Sequence, residues 1–295
     1  MSSSLKERAQ AAFFARRDRI ERNQRGIVTF FDFYFAKVIK RLVGSKAVHG
    51  WDADTAAAAG DTRAAAELSW LSRHLADESQ GRFVSYAARR ADEAMRPVSA
   101  IGSMEMIMSS GVTEPMAWKG QPLFKTVFDF AMMPILLWEE KPATIFEIGS
   151  GVGASARWMA DIVREFGLSA QIHSADHTPV QDPYPGVRFH RGDCTDPRTL
   201  FDNELLATAP RPWLVLEDAH VNVGGVLEYF HQHLAVGDYF MIEDSGSKVN
   251  ELDAFMAAHD AVYAVYAVYA VDTRYTDFFG RNATCAPNSI LRRLA

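Results

Sequence analysis

The stretch WLVLEDAH, residues 213–220, is an apolar run that ends in two carboxylates and a histidine. Glu217 and Asp218 offer hard oxygens to a cation, and His220 offers an imidazole whose ordinary pKa of about 6.5 suits proton transfer. A second carboxylate pair, Glu243 and Asp244, follows the apolar run YFMI. In TIFEIGSGVGASARW an acid, Glu147, precedes Gly149, Gly151 and Gly153, with Ser150 and Ser155 beside them. Glycine takes positive φ freely and lets backbone approach a ligand closely. The spacing E-x-G-x-G-x-G differs from the G-x-G-x-x-G of dinucleotide sites, because the third glycine comes one residue early. Asp176 in IHSADH and Asp193 in FHRGDCTD are two further acids just beyond apolar runs.

Such groups act together only if the chain converges them. Apolar stretches at 144–148, 171–175, 187–190, 213–216 and 239–242 read as strands, each leading into a loop with Gly, Asp or Asn and then an amphipathic helix. Strand–helix alternation implies a parallel, doubly wound α/β sheet of Rossmann type, since parallel strands need crossovers of helix length. Ligands bind such sheets beyond the carboxyl ends of the strands, where all these acids fall. A last strand is expected at 289–291. Taken singly, each acid is also what a helix N-cap or a turn requires, so the signal lies in the ordered set.

The N-terminal part has another texture. GIVTFFDFYFAKVIKRLVG, DTRAAAELSWLSRHLADE and GRFVSYAARRADEAMR have helical periodicity, so residues 1–110 read as a helical region and 111–295 as the α/β domain. TFFDFYF carries aromatics on several faces, which suggests burial between subunits, as in a homo-oligomer, or beneath the sheet. AVYAVYAVYAV, residues 261–271, repeats every three residues and matches neither helix nor strand period. It reads as a local duplication whose last copy, with Asp272, enters a strand.

Composition narrows the partners. The 295 residues are 48% hydrophobic, enough for a sizeable core, and the net charge of −6 argues against a nucleic-acid binder. Two distant cysteines, Cys194 and Cys285, suggest neither a disulfide framework nor a zinc site. No apolar stretch has the length of a membrane span and no signal peptide is evident, so a cytoplasmic protein acting on a small molecule is expected.

FEIGSGVGAS, RGDCTDP, VLEDAH, GDYFMIEDS and the terminal YTDFFGRNATCAPNSILRR together resemble the cephalosporin hydroxylase-like (CmcI-type) family, S-adenosylmethionine (SAM)-dependent proteins related to macrolide sugar O-methyltransferases. MAWKGQPLFKTVFDFAMMPILLWEEKP fits the segment before the cofactor loop. The resemblance covers roughly residues 110 to 295. It implies that the loop from Glu147 through Gly149, Ser150, Gly151, Gly153 and Ser155 orders the amino-acid part of SAM. Asp176 can then accept both ribose hydroxyls and Asp193 can meet the adenine amino group, with Cys194 and Glu217 also at the cofactor and His177 either a cofactor neighbour or an exposed loop residue. It further implies magnesium held by Glu217, Glu243 and Asp244, with His220 as general base. The family usually has Asp where this chain has Glu217, which leaves Glu217 and neighbouring Asp218 both open as ligand.

The chemistry of the residues agrees. Carboxylates from adjacent strand ends, with no Lys or Arg nearby in sequence, repel one another unless a cation or proton is shared. Magnesium prefers hard oxygens and would lower the pKa of a chelated hydroxyl, whose proton His220 could take. The expectation is a SAM- and Mg-dependent methyltransferase acting on oxygen of a small hydroxylated natural product. Two alternatives stand beside it: a hydroxylase or hydroxylase partner, for which no 2-His-1-carboxylate triad is evident, and a non-catalytic SAM-binding scaffold.

Overall fold

Strands that are apolar along their whole length must be covered on both faces, and the sheet meets that demand. The computed structural model describes residues 81–93, 99–178, 180–260 and 267–295. The chain divides into two units, Met1–Ser79 and Gln80–Ala295, and every described residue belongs to the second. The aromatic TFFDFYF and most of the AVY repeat lie outside the described residues.

The strands, in chain order, are β1 Phe83–Ser85, β2 Ala117–Trp118, β3 Gln121–Pro122, β4 Thr144–Ile148, β5 Gln171–Asp176, β6 Val187–Arg191, β7 Trp213–Glu217, β8 Tyr239–Ile242, β9 Tyr269–Asp272 and β10 Ile290–Arg293. Eight form one sheet in the order β1-β9-β10-β8-β7-β4-β5-β6. From β4 to β8 neighbouring strands are parallel, while β10 runs antiparallel to both β8 and β9. The chain winds outward from β4 through β5 to β6, then returns to place β7 on the other flank of β4. That reversal opens a crevice beyond the ends of β4 and β7, where such sheets bind ligands.

Each face has its own core. Phe146, Phe201, Trp213, Phe230 and Phe240 meet on one side. Met132, Leu136, Trp158, Leu214 and Met241 meet on the other, under the helices Val127–Glu140 and Ala154–Glu165. Thr126 caps the first of these helices by accepting the Asp129 N–H, and Lys141 in the left-handed region ends it. β2 and β3 form a separate hairpin whose two turn residues, Lys119 and Gly120, both have positive φ, as a type I′ turn requires.

Five elements differ from the sequence reading, β5 and β6 each by one further residue, Asp176 and Arg191. Phe83–Ser85, read there as helix, is a strand paired with β9, because Arg82 bonds Asp272 at 2.8 Å and sets Phe83 opposite Asp272. β10 begins one residue later than expected and runs to Arg293. β7 extends through Glu217, making Asp218 the first loop residue.

Two features fix the glycine loop. Gly149 has φ +103, and a Cβ there would lie 2.8 Å from the Asp218 carbonyl carbon and 2.9 Å from the Ala219 nitrogen. Gly151, at φ +49, has open space around the same position. Glu147, 2% exposed, accepts bonds from the Ser155 and Ser174 hydroxyls, and Ser174 meets Ser150 at 2.6 Å. The carboxyl thereby ties the loop's helix to β5. Burial, opposed by those two hydroxyls, pushes it up to about 7.

Gly149→Ala is therefore expected to cost about 2–4 kcal/mol, read as a fall in Tm, while Gly151→Ala costs about 1 kcal/mol. Equal losses would contradict the close approach. A carboxyl raised in the folded state stabilises below its unfolded pKa and loses that contribution as pH rises through the folded value. Wild-type stability should thus fall relative to Glu147→Gln between about pH 4.5 and 7. Parallel pH profiles for the two proteins would contradict the burial account.

Candidate active site

The crevice beyond β4 and β7 holds a cavity of about 560 Å³. Of the residues expected to serve a site, Gly149, Ser150, Gly151, Ser155, Asp176, His177, Asp193, Cys194, His220 and Asp244 line it. Asp218 lines it too. Glu147, Gly153, Glu217 and Glu243 do not; they lie behind its wall.

At one end the backbone of the glycine loop and the acids after β5 and β6 converge. Asp176 accepts the Gly151 N–H at 3.0 Å through one carboxylate oxygen and the Thr178 N–H at 2.9 Å through the other. It joins the loops after β4 and β5, also meets His177 Nδ1 at 3.1 Å, and lines the cavity. Asp193 accepts the Thr195 N–H at 2.9 Å, and this bond lowers its carboxyl below the ordinary range. Cys194 is nearly buried beside it, and burial raises its thiol to about 11, so it serves as a small apolar wall. Gly153 opens the helix Ala154–Glu165 at φ +78, and its bare Cα faces the Phe189 ring, which a Cβ would meet at 2.9 Å.

The other end is acidic. Among the described residues, Asp218, His220 and Asp244 form the group whose ligand atoms all lie within 4.8 Å of one another. His220 Nε2 is 3.2 Å from Asp244 and 3.5 Å from Asp218. The bond to Asp218 lifts the imidazole above its usual pKa. His220 and Asp244 both have positive φ, +58 and +49, as does Asn222 at +50. Three non-glycine residues in the left-handed region within two facing loops indicate backbone held where the side chains are needed.

Glu217 and Glu243 stand apart from this group for a physical reason. Glu217 closes β7, fully buried, and its carboxylate receives Lys248 at 2.7 Å and the N–H groups of Ala219 and His220 at 3.1 and 3.2 Å. It therefore folds the loop that carries Asp218 and His220. Of the two carboxylates left open by the sequence, Asp218 is the one at the cavity. Glu243 is buried against Lys125, whose ammonium also reaches Asp218 at 2.9 Å. Burial opposes the Lys125 charge, but Glu243 and Asp218 outweigh it and hold the ammonium well above the usual lysine value.

Lys125 and Lys248 are the residues that sequence reasoning missed. Lys248 stands in EDSGSK, four residues past Asp244, and was visible; Lys125 lies more than ninety residues before Asp218 and no local pattern joins them. The β2–β3 hairpin brings it there. Trp118 donates to Asp161 at 2.7 Å, which pins the hairpin to the helix Ala154–Glu165 and leaves Pro122, Leu123, Phe124 and Lys125 as one wall of the cavity.

The oxygen-rich group at Asp218 and Asp244 fits a hard divalent cation, and the cavity runs from there to the glycine loop without interruption. The chain matches relatives in these same regions. A family model described as Rhamnosyl O-methyltransferase/CmcI matches residues 110–264. Rhamnosyl O-methyltransferases of Mycobacterium tuberculosis and Mycobacterium bovis are 27% identical over 137 residues, 43% of this chain and 56% of theirs. The chain thus spans little more than half the length of these curated relatives. Among solved structures, a CmcI apo structure superposes with TM-score 0.51 at 27% identity, covering 62% of this chain and 77% of that one. A CmcI structure with Mg and SAM gives 0.52 at 27% identity, covering 62% and 78%. The family model covers more than half of the sequence and includes the glycine loop, Asp176, Asp193, Asp218, His220 and Asp244; the chain belongs to the rhamnosyl O-methyltransferase/CmcI family.

Proposed function

We propose that the protein is a SAM-dependent O-methyltransferase that uses a divalent cation, Mg²⁺ by preference, and acts on a small hydroxylated natural product. The observation that carries this reading is the single cavity joining the glycine loop, Asp176 and Asp193 at one end to Asp218, His220 and Asp244 at the other. The Mg–SAM complex of a relative 27% identical supports it.

Bound SAM would supply the methyl group, and a divalent cation would supply Lewis acidity that lowers the pKa of an acceptor hydroxyl. Gly149 and Gly151 offer backbone at close range to the amino-acid part of the cofactor. Asp176 would accept the ribose hydroxyls, its Oδ2 having Gly151 N–H as its one hydrogen-bond partner, and Asp193 would accept the adenine amino group. Asp218 and Asp244 would hold the cation. His220 takes the proton of the acceptor hydroxyl at Nε2, and the resulting imidazolium is stabilised by the adjoining carboxylates. Phe124, 74% exposed at the cavity wall, is placed to cover the acceptor's apolar body and exclude water.

Oxygen as the methylated atom follows from the hard, acidic end of the cavity and from a base beside it. A homo-oligomeric assembly in the cytoplasm belongs to the same reading; among the described residues no helix is long and apolar enough to cross a membrane.

Calorimetry with SAM and S-adenosylhomocysteine is expected to show micromolar binding in wild type, weakened about 10–100-fold in Asp176→Ala. Absence of binding with both Mg²⁺ and EDTA removes the reading altogether. His220→Ala should lower kcat on a hydroxylated acceptor by about 10²–10⁴-fold while leaving SAM affinity intact. Asp218→Asn and Asp244→Asn should raise the Mg²⁺ concentration needed for half-maximal turnover; turnover that EDTA does not touch would exclude the cation.

A further inference from the structure

Two adjacent acids stand at the end of each of β7 and β8: Glu217 with Asp218, and Glu243 with Asp244. Glu217 and Glu243 are buried and each has a buried lysine, Lys248 at 2.7 Å and Lys125 in direct contact. Asp218 and Asp244 face the cavity. The two lysines face the two buried glutamates, which leaves Asp218 and Asp244, with His220 at 3.5 and 3.2 Å, as the acids open to a cation in the cavity. Lys125 differs from Lys248 in one respect. Lys248 serves Glu217 alone among these acids, whereas Lys125 spans two of them, a cavity-facing carboxylate at 2.9 Å and the buried Glu243, and itself lines the cavity. It comes from the hairpin side of the fold, while both acids come from the sheet.

We propose that Lys125 is the resident cation of the site: it bridges Asp218 and Glu243 when no metal is present, so the carboxylate set is assembled before a divalent ion arrives. The proposal rests on the metal component of the function above. Lys125 is a positioning residue, acting on the metal group through Asp218. Its consequence is that metal and lysine are partly interchangeable as the counter-charge of Glu243. Removing the ammonium strands a buried carboxylate, and there are two ways to relieve that loss, a neutral side chain at 243 or a divalent cation reaching the vacated place.

The test is thermal unfolding of the full chain without SAM or acceptor, in EDTA and in millimolar Mg²⁺ or Mn²⁺. Wild type is expected to gain only a small rise in unfolding temperature from the metal, smaller than the rise the metal gives Lys125→Met. Lys125→Met should lose roughly 10 °C in EDTA. The metal should restore several degrees of that, and Lys125→Met combined with Glu243→Gln should recover stability without metal. Lys125→Arg, which keeps the charge, should stay close to wild type. If Lys125→Met does not fold, recovery of folding in the double variant supports the proposal and continued failure overturns it. A loss that neither Glu243→Gln nor metal relieves marks Lys125 as packing only and overturns the proposal, as does relief by Glu243→Gln with no effect of either metal. SAM binding to the double variant, measured separately, tells failure of this proposal from failure of the methyltransferase reading.

Discussion

The contact on which the site depends is the close approach of two loops at the reversal of strand order. The backbone after β4 passes so near the backbone after β7 that only a glycine fits at 149, in a conformation that an L side chain rarely adopts. The peptide it meets is that between Asp218 and Ala219, and two residues beyond Asp218 stands His220. The glycine turn and the acidic end of the cavity are therefore held at a fixed separation by main-chain contact, independent of any side-chain rotamer. For a reaction between two bound molecules, a fixed separation is what converts binding into rate.

Charge sets the second constraint. Burying carboxylates is costly unless each has a partner, and the fold gives Glu217 and Glu243 a lysine apiece. These two acids act as scaffold: Glu217 through the N–H groups of the loop it folds, Glu243 through the wall that Lys125 anchors. Asp218 and Asp244, one residue later in each pair, carry the outward-facing charge. Within EDAH and EDS the first acid serves the interior and the second serves the cavity.

Much of this was legible in the sequence. The parallel sheet follows from strand–helix alternation, and the ordered set of acids at strand ends marks the crevice. What escaped was side-chain direction at a boundary. Placing the end of the strand one residue too early, at Leu216, left Glu217 in the loop, when its true place as the last buried strand residue turns it inward. Lys125 escaped because its role depends on a hairpin docking through Trp118 and Asp161, a long-range contact with no local periodicity. Phe83–Ser85 was read as helix because three residues are too few to show a two-residue period against a following helical run, and the decisive partner, Asp272, lies 190 residues away.

The pairing of Arg82 with Asp272 bears on the three-residue repeat that runs into β9. A strand that slips by three residues turns every side chain to the opposite face, so a repeat of odd length offers wrong registers as readily as right ones. β9 uses the last copy, Tyr269 to Val271, together with Asp272, which is not part of the repeat. Asp272 receives Arg82, Tyr239 and the N–H of Arg274. The strand is thus indexed from its carboxyl end, by a residue that occurs once. The register of β9, and of the sheet edge it belongs to, therefore rests on Asp272 and its partners and not on a residue of the repeat.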